Sequence, residues 1–170
     1  VISALAGGNK LPQNLSDCDD TRVITRAFAN NPYEIDIMAA GTAMRFMTAY
    51  LCTQEGEHVI TGTERMRHRP IGILVDALRY LGADIEYVGE EGYPPLKIKG
   101  KTLEGGRLEM PGNVSSQYIS ALLMIGPSLK NGIELHLKGE IVSRPYIDLT
   151  LWTMTEYGAD VEWTDVDTIT

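Results

Sequence analysis

Two hydrophobic periods follow one another after Pro70. Apolar residues first recur at helical spacing, at Ile71, Leu74, Val75, Leu78 and Leu81. Gly82 is well placed to end such a helix. Residues 83–87 then alternate between apolar and acidic side chains, which is the period of a half-buried strand. This stretch therefore predicts a helix followed directly by a strand.

The same pattern returns about 75 residues later in the chain. Arg144-Pro145 takes the place of Arg69-Pro70, and Ile147, Leu151 and Met154 continue at helical spacing. Gly158 follows, and residues 159–163 alternate as 83–87 do. A period this long exceeds that of the short solenoid repeats. It predicts a small α/β unit that is duplicated within one domain.

Strand and helix candidates precede each Arg-Pro step. Strands are predicted at 58–61 and 133–138, and the apolar helices before them at 44–52 and 118–125. Counting hairpin-like strands at 96–99 and 107–110, each unit has the order βαβαββ. Residues 3–6 and 20–29 resemble a truncated further copy. We expect one globular domain over 1–170, divided into a truncated first unit (1–37), a second unit (38–107) and a third unit (108–170).

Composition narrows the possible partners and compartment. The chain of 170 residues carries a net charge of −8 and is 44% apolar, so it can bury a core, while its acidity disfavours nucleic acid and anionic membranes. No apolar run approaches the roughly 20 residues of a membrane helix. Cys18 and Cys52 are too few for a disulfide framework and favour the cytoplasm. Because the chain begins at Val1 with residues that look like the tail of a helix, we expect it to be a piece of a longer protein.

Residues 65–69, Arg-Met-Arg-His-Arg, form a basic cluster in this acidic chain. Such runs are usually solvated surface charges. This one, however, lies in a loop between a strand and a helix, just before Pro70. There Arg69 can bind a phosphate or carboxylate with two parallel hydrogen bonds, so anion binding is favoured.

Residues 113–117, Asn-Val-Ser-Ser-Gln, stand at the start of the second apolar helix. Ser and Asn are preferred helix caps. Two adjacent hydroxyl groups, an amide and free backbone N–H groups also suit a phosphate. The residues alone leave both interpretations open.

Two further helix starts carry weaker signals. Gly41 opens the helix of the preceding unit and permits close approach of a ligand or of neighbouring backbone. In residues 142–148, Ser143 is a possible cap, Tyr146 a possible packing residue, and Asp148 favours a helix N-terminus. A structural role leads at both places.

Four ordered motifs together resemble one enzyme family. They are Gly41-Thr-Ala-Met-Arg45, Arg69-Pro-Ile-Gly72, Ser115-Ser-Gln-Tyr118 and Ser143-Arg-Pro-Tyr-Ile-Asp148. The combination is similar to 5-enolpyruvylshikimate-3-phosphate (EPSP) synthases. Residues 17–21 and 93–96 agree in the same order. The resemblance covers essentially the whole chain, which would be well under half of such an enzyme.

The resemblance implies a fold and a reaction. It implies an α/β (α+β) architecture of βαβαββ units with buried helices and outer sheets, the enolpyruvyl transferase fold or inside-out α/β barrel. The chain would be most of the N-terminal-side domain of a monomeric enzyme whose second domain is absent here. That enzyme transfers the enolpyruvyl group of phosphoenolpyruvate to the 5-hydroxyl of shikimate 3-phosphate, without a metal or other cofactor.

The resemblance also implies roles for individual residues. Shikimate 3-phosphate would be bound by Ser115, Ser116, Gln117, Ser143, Arg144 and Tyr146, and phosphoenolpyruvate by Gly41, Arg69 and Gln117. The groups that transfer protons would lie outside this chain, so no catalytic residue is expected within it. Ala39 and Phe46 depart from the Asn and Pro usual in the family, so sensitivity to the inhibitor glyphosate does not follow.

Two alternative functions remain at this point. The UDP-N-acetylglucosamine enolpyruvyl transferases share the fold and the donor, but they typically carry a cysteine near the donor site. Cys18 and Cys52 fall in unrelated segments. The other alternative is a non-catalytic anion-binding module that has kept the fold.

Overall fold

Two helices open the chain in the computed structural model, which describes residues 1–8 and 12–170. The first is α1 (Ile2–Leu5) and the second is α2 (Asp19–Asn30). Asp19 and Asp20 occupy the first turn of α2, where carboxylates are favourable to the helix dipole. Both helices lie close to 3–6 and 20–29, the segments that resemble a truncated unit.

A complete βαβαββ unit follows. In chain order it consists of β1 (Glu34–Asp36), α3 (Gly41–Cys52), β2 (Gly56–Thr61), the short α4 (Glu64–Arg67), α5 (Gly72–Tyr80), β3 (Asp84–Tyr87) and β4 (Leu96–Gly100). The sheet has the order β1-β2-β4-β3. β1 and β2 are parallel, whereas β4 is antiparallel to both of its neighbours.

A second sheet repeats this arrangement. Its elements are β5 (Gly106–Pro111), α6 (Ser116–Ile125) with a 3₁₀ turn at Gly126–Ser128, β6 (Ile133–Lys138), α7 (Arg144–Glu156) and β7 (Thr168–Ile169). The order is β5-β6-β7, with β5 parallel to β6 and β7 antiparallel to it. The parallel pair followed by an antiparallel strand reproduces the first sheet.

The hairpin-like strands predicted at 96–99 and 107–110 do not pair with each other. Both segments are strands, but β4 pairs with β2 and β3, while β5 pairs with β6 in the other sheet. A local alternation of apolar and polar residues predicts a strand but does not specify the strand that it pairs with. That partner is determined by long-range packing. The first strand of the second unit covers 34–36, and the first strand of the third unit includes 106–107. Both units therefore begin a few residues earlier than the predicted boundaries at 38 and 108.

The predicted strand over 159–163 is also wrong. That segment makes a single bridge, between Trp163 and Ile169. Its counterpart β3 runs along the five-residue strand β4, whereas β7 has only two residues. With so short a partner, no regular ladder forms, although Glu162 and Thr170 exchange two backbone hydrogen bonds of 3.0 Å.

The helices form the interior and the sheets lie outside. α3 and α6 pack against each other, and α6 also packs against α7. Every residue from Tyr118 to Ile125 in α6 is buried. In β6, Leu135 and Leu137 are fully buried while Lys138 is exposed. This is the predicted α/β architecture with buried helices and outer sheets.

Candidate anion-binding site

Four helix starts lie at the carboxyl ends of parallel strands. α3 and α6 follow β1 and β5, and α5 and α7 follow β2 and β6. Each strand pair is parallel, so the residues after the two strands emerge at the same edge of their sheet. Ligand sites in α/β folds form at this edge. All the predicted binding residues stand in these connections or in the first turns that follow them.

Side chains of α6 join the two units at this edge. Gln117 Nε2 donates to Oγ1 of Thr42 over 3.0 Å. The hydroxyl of Tyr118 donates to the carbonyl of Pro70 over 2.7 Å. Three of the predicted motifs, those of Gly41, Arg69 and Ser115, are thereby brought together.

Arg69 lies directly against Gly41. A Cβ atom built on Gly41 would stand 2.5 Å from Nη1 of Arg69 and 3.1 Å from its Cζ. Only glycine leaves room for the guanidinium in this position. Arg69 is exposed, and no carboxylate of residues 1–8 and 12–170 forms an ion pair with it. Its donors are therefore available to an anion.

A second guanidinium, that of Arg45, lies beneath the same glycine. Arg45 is only 6% exposed, and its Nη1 donates to the carbonyl of Gly41 over 2.7 Å. Its Cζ lies 5.3 Å from the centroid of the Tyr118 ring. Its Nε has no hydrogen-bond partner in the described part of the chain. Sequence reasoning did not single out Arg45, although a lone cation in an apolar helix was a signal.

An acidic residue from α2 caps the helix that carries Gly41. The residue before this helix, Ala40, has no side-chain acceptor, and Asp20 Oδ1 accepts the N–H of Ala43 over 2.8 Å. Such a contact satisfies one of the free N–H groups of a helix start. Asp20, from the segment 17–21 that was matched only as a motif in the sequence, thus helps to fix the start of α3.

The two serines differ in their local roles. Ser115 is the N-cap of α6, and its hydroxyl accepts the N–H of Gln117 over 3.4 Å. Ser115 is exposed, and Ser116 and Gln117 are half-buried. The capping role, one of the two interpretations that the sequence left open, is therefore present, and the exposed hydroxyl leaves its second lone pair open to a ligand.

The start of α7 lies beside the start of α6. Val142 N–H donates to the carbonyl of Gly112 over 3.4 Å, joining the two preceding loops. Further along the two helices, Ser120 and Thr150 share a hydrogen bond of 2.8 Å. Ser143 is the N-cap without a side-chain capping bond, and Tyr146 is 67% exposed. Both side chains are free to contact a ligand.

The guanidinium of Arg144 is engaged elsewhere. It stacks on Trp163, with Cζ 3.8 Å from the ring centroid, and Nη1 donates to the carbonyl of Val166 over 2.8 Å. Trp163 Nε1 in turn donates to Asp148 over 2.8 Å. In this arrangement Arg144 anchors the turn between Trp163 and Ile169, and its role at the ligand remains a prediction.

The other basic residues of 65–69 are exposed. Arg67 Nε donates to the carbonyl of Gly62 over 3.2 Å, and His68 Nδ1 lies 2.8 Å from the carbonyl of Glu64. Arg65, Arg67 and Arg69 give this edge a local positive charge on a chain of net charge −8. Positive potential of this kind attracts anionic ligands.

Residues 1–8 and 12–170 contain neither a membrane-spanning helix nor a cluster of metal-ligating side chains. None of their helices is long and apolar enough to cross a membrane. They also contain no group of three or more histidine, cysteine or acidic side chains arranged to hold a metal ion.

The comparison with known proteins agrees with the motifs. The family profile of EPSP synthase (3-phosphoshikimate 1-carboxyvinyltransferase) matches residues 2–170. The chain belongs to the EPSP synthase family. A 3-phosphoshikimate 1-carboxyvinyltransferase of Bacteroides fragilis is 63% identical over 164 residues, covering 96% of this chain and 40% of the relative. One of Aliivibrio fischeri is 46% identical over 163 residues, covering 95% and 38%.

Solved structures of EPSP synthases support the fold. The EPSP synthase from Acinetobacter baumannii superposes with a TM-score of 0.66 at 27% identity, over 80% of this chain and 29% of that one. The chain thus spans about 40% of the length of the curated EPSP synthases that it matches. The family membership predicted from the four motifs is confirmed.

Proposed function

We propose that this chain forms one half of the substrate site of an EPSP synthase. The complete enzyme transfers the enolpyruvyl group of phosphoenolpyruvate to the 5-hydroxyl of shikimate 3-phosphate and releases phosphate. The observation that carries the proposal is the exposed guanidinium of Arg69, without a carboxylate partner among the described residues, seated on Gly41. It is joined through α6 to a helix start rich in hydroxyl groups.

The two substrates would occupy neighbouring parts of this edge. Arg69, supported by the field of the buried Arg45, holds an anionic group of phosphoenolpyruvate beside Gly41. Ser115 and Ser116 bind the phosphate of shikimate 3-phosphate, and Ser143 and Tyr146 contact its ring. Gln117 stands between the two groups, because its amide already reaches Thr42 at the start of α3. Arg144 reaches the acceptor phosphate only by leaving Trp163.

The proposed enzyme needs a second domain. Closing a site between two domains excludes water and completes the set of charged groups that acts on the substrates. This chain supplies binding and orientation, and the remaining length of the protein supplies the groups that move protons. We propose that the complete protein is a monomeric cytoplasmic enzyme.

The test compares Arg69→Ala and Arg69→Lys in a full-length enzyme that carries this chain. A charge-assisted hydrogen bond contributes about 1.5–3 kcal/mol, so Arg69→Ala should lower kcat/KM for phosphoenolpyruvate by at least roughly tenfold. Arg69→Lys should not restore it, because lysine lacks the planar pair of donors. Arg107→Ala, at an exposed arginine paired with Glu134 in the second sheet, is the matched control.

Different results would favour different conclusions. Unchanged phosphoenolpyruvate kinetics in Arg69→Ala would refute the assignment of Arg69. Turnover with UDP-N-acetylglucosamine in place of shikimate 3-phosphate would show that the protein functions as a UDP-N-acetylglucosamine enolpyruvyl transferase. A full-length wild-type protein that binds both anions without turnover would be the non-catalytic module.

A further inference from the structure

We propose that Tyr118 is a positioning residue that holds Arg69 in its anion-binding place. The inference rests on the proposed function, since it assigns to Arg69 the anionic group of phosphoenolpyruvate. It goes beyond that function because Tyr118 belongs to none of the binding groups. Tyr118 lies on α6, in the second sheet's unit, whereas Arg69 lies in the unit before it.

The phenol hydroxyl fixes the backbone next to Arg69. Its hydrogen bond to the carbonyl of Pro70 is 2.7 Å long. The ring of Pro70 already restricts its φ angle, so holding its carbonyl leaves the adjoining peptide little freedom. Neighbouring backbone bonds continue the restraint on both sides, from Arg69 N to Met66 O over 3.0 Å and from Ile71 N to Gly92 O over 2.9 Å.

The ring of Tyr118 fixes the other side of the same site. It is 8% exposed and packs against the guanidinium of Arg45, whose Nη1 holds the carbonyl of Gly41. A cation over an aromatic face at this distance is attracted to it. One side chain thus connects Gly41, through Arg45, with Pro70, through its hydroxyl. These are the two backbone positions that determine where the Arg69 guanidinium lies.

The expected consequence is a defect in donor binding without loss of the fold. Without the hydroxyl, the Pro70 carbonyl loses its restraint and Arg69 samples orientations that do not meet the anion. Small misplacements of binding groups have large effects because bound geometry must be close to productive. Hydrogen bonds of the Ser115 and Ser116 segment are untouched, so the acceptor should bind as before.

The decisive variant is Tyr118→Phe in the full-length enzyme, which removes one oxygen and keeps the ring. KM for phosphoenolpyruvate should rise about three- to tenfold, as expected for one lost hydrogen bond. KM for shikimate 3-phosphate should stay within about twofold. Tyr80→Phe is the control, since Tyr80 is 72% exposed and makes no side-chain hydrogen bond within the described residues.

A double-mutant cycle separates positioning from general destabilisation. If Tyr118 acts through Arg69, Tyr118→Phe should change the donor KM by less than about twofold in an Arg69→Ala background. A full effect in that background would overturn the proposal. So would an unchanged donor KM in Tyr118→Phe when Arg69→Ala is impaired. If Arg69→Ala itself has normal phosphoenolpyruvate kinetics, the proposed function of Arg69 is refuted. The positioning role of Tyr118 is then refuted as well, because it depends on Arg69.

Discussion

The contact between Gly41 and Arg69 makes a specific prediction at the scale of single residues. In Gly41→Ala, the new methyl group would meet Arg69 Nη1 at 2.5 Å and Arg45 Nη1 at 2.7 Å. Both are ends of flexible side chains, so the fold should survive and the guanidinium groups should move. We expect KM for phosphoenolpyruvate to rise by about tenfold or more, as for a lost charge-assisted hydrogen bond.

The control for that substitution is Gly89→Ala. A Cβ on Gly89 meets no atom of the described residues within 4 Å, and its backbone is not left-handed. Thermal melts and steady-state kinetics of both variants, measured side by side, separate a local clash from a general glycine effect. Equal donor KM values in the two variants would contradict the seating of Arg69 on Gly41.

The two cysteines should differ sharply in reactivity. Burial raises the pKa of the Cys52 thiol to about 12, whereas a hydrogen bond with Thr21 lowers the pKa of the exposed Cys18. Because the thiolate is the reactive form, a raised pKa keeps Cys52 protonated at pH 8. In the native protein a disulfide reagent should modify Cys18 rapidly and Cys52 only after unfolding. Rapid native modification of Cys18→Ser would show that Cys52 is accessible.

The sequence indicated the residues proposed to face a ligand more readily than those that support them. Arg69, Gly41 and Ser115 stand beside helix starts, where residue type and position indicate chemistry. Arg45 and Tyr118 act through contacts between segments that are far apart in the chain. The stacking of Arg144 on Trp163 is equally non-local. No local pattern specifies such partners.

At the scale of elements, α6 lies in the helical interior between α3 and α7. Leu122 on this helix is fully buried, and Leu149 on α7 is 55% exposed. Leu122→Ala should lower the free energy of unfolding by about 2–5 kcal/mol, as large-to-small core substitutions do. Leu149→Ala, the matched control, should cost less than about 1 kcal/mol. Chemical denaturation of both variants measures the difference, and equal losses would mean that α6 is not central to the core.

Helices were easier to predict than strand partners. The apolar spacing in 71–81 and 118–125 is internal to each helix, and both helices lie close to those positions. The alternation in 159–163 matches that of 83–87, yet only the latter became a strand. A strand forms only beside a paired neighbour. Whether a neighbour such as β4 or β7 is long enough depends on the whole sheet, so the local sequence does not reveal it.

At the scale of the whole molecule, the chain should bind without turning over. It spans about 40% of its curated relatives. Leu149 and Trp152 leave an apolar surface on α7, with Trp152 63% exposed. We expect no enolpyruvyl transfer by the isolated chain and weak, millimolar binding of shikimate 3-phosphate. Chemical-shift changes at the Ser115 and Ser116 amides would report that binding. Turnover above background would show that the chain already holds the proton-transfer groups.

The connection between the two units is held at both ends by backbone hydrogen bonds. Lys101 N donates to Cys52 O, Lys130 N donates to Leu103 O, and Gly106 N donates to Gly132 O. The packing of α3 on α6 adds a broad contact between the units. These bonds oppose any hinge at 101–105, so the backbone segments that carry the site residues are already held in fixed relative positions when the chain folds. The first encounter of a ligand with this surface should then need little ordering of the protein, and its rate should be governed by diffusion and charge.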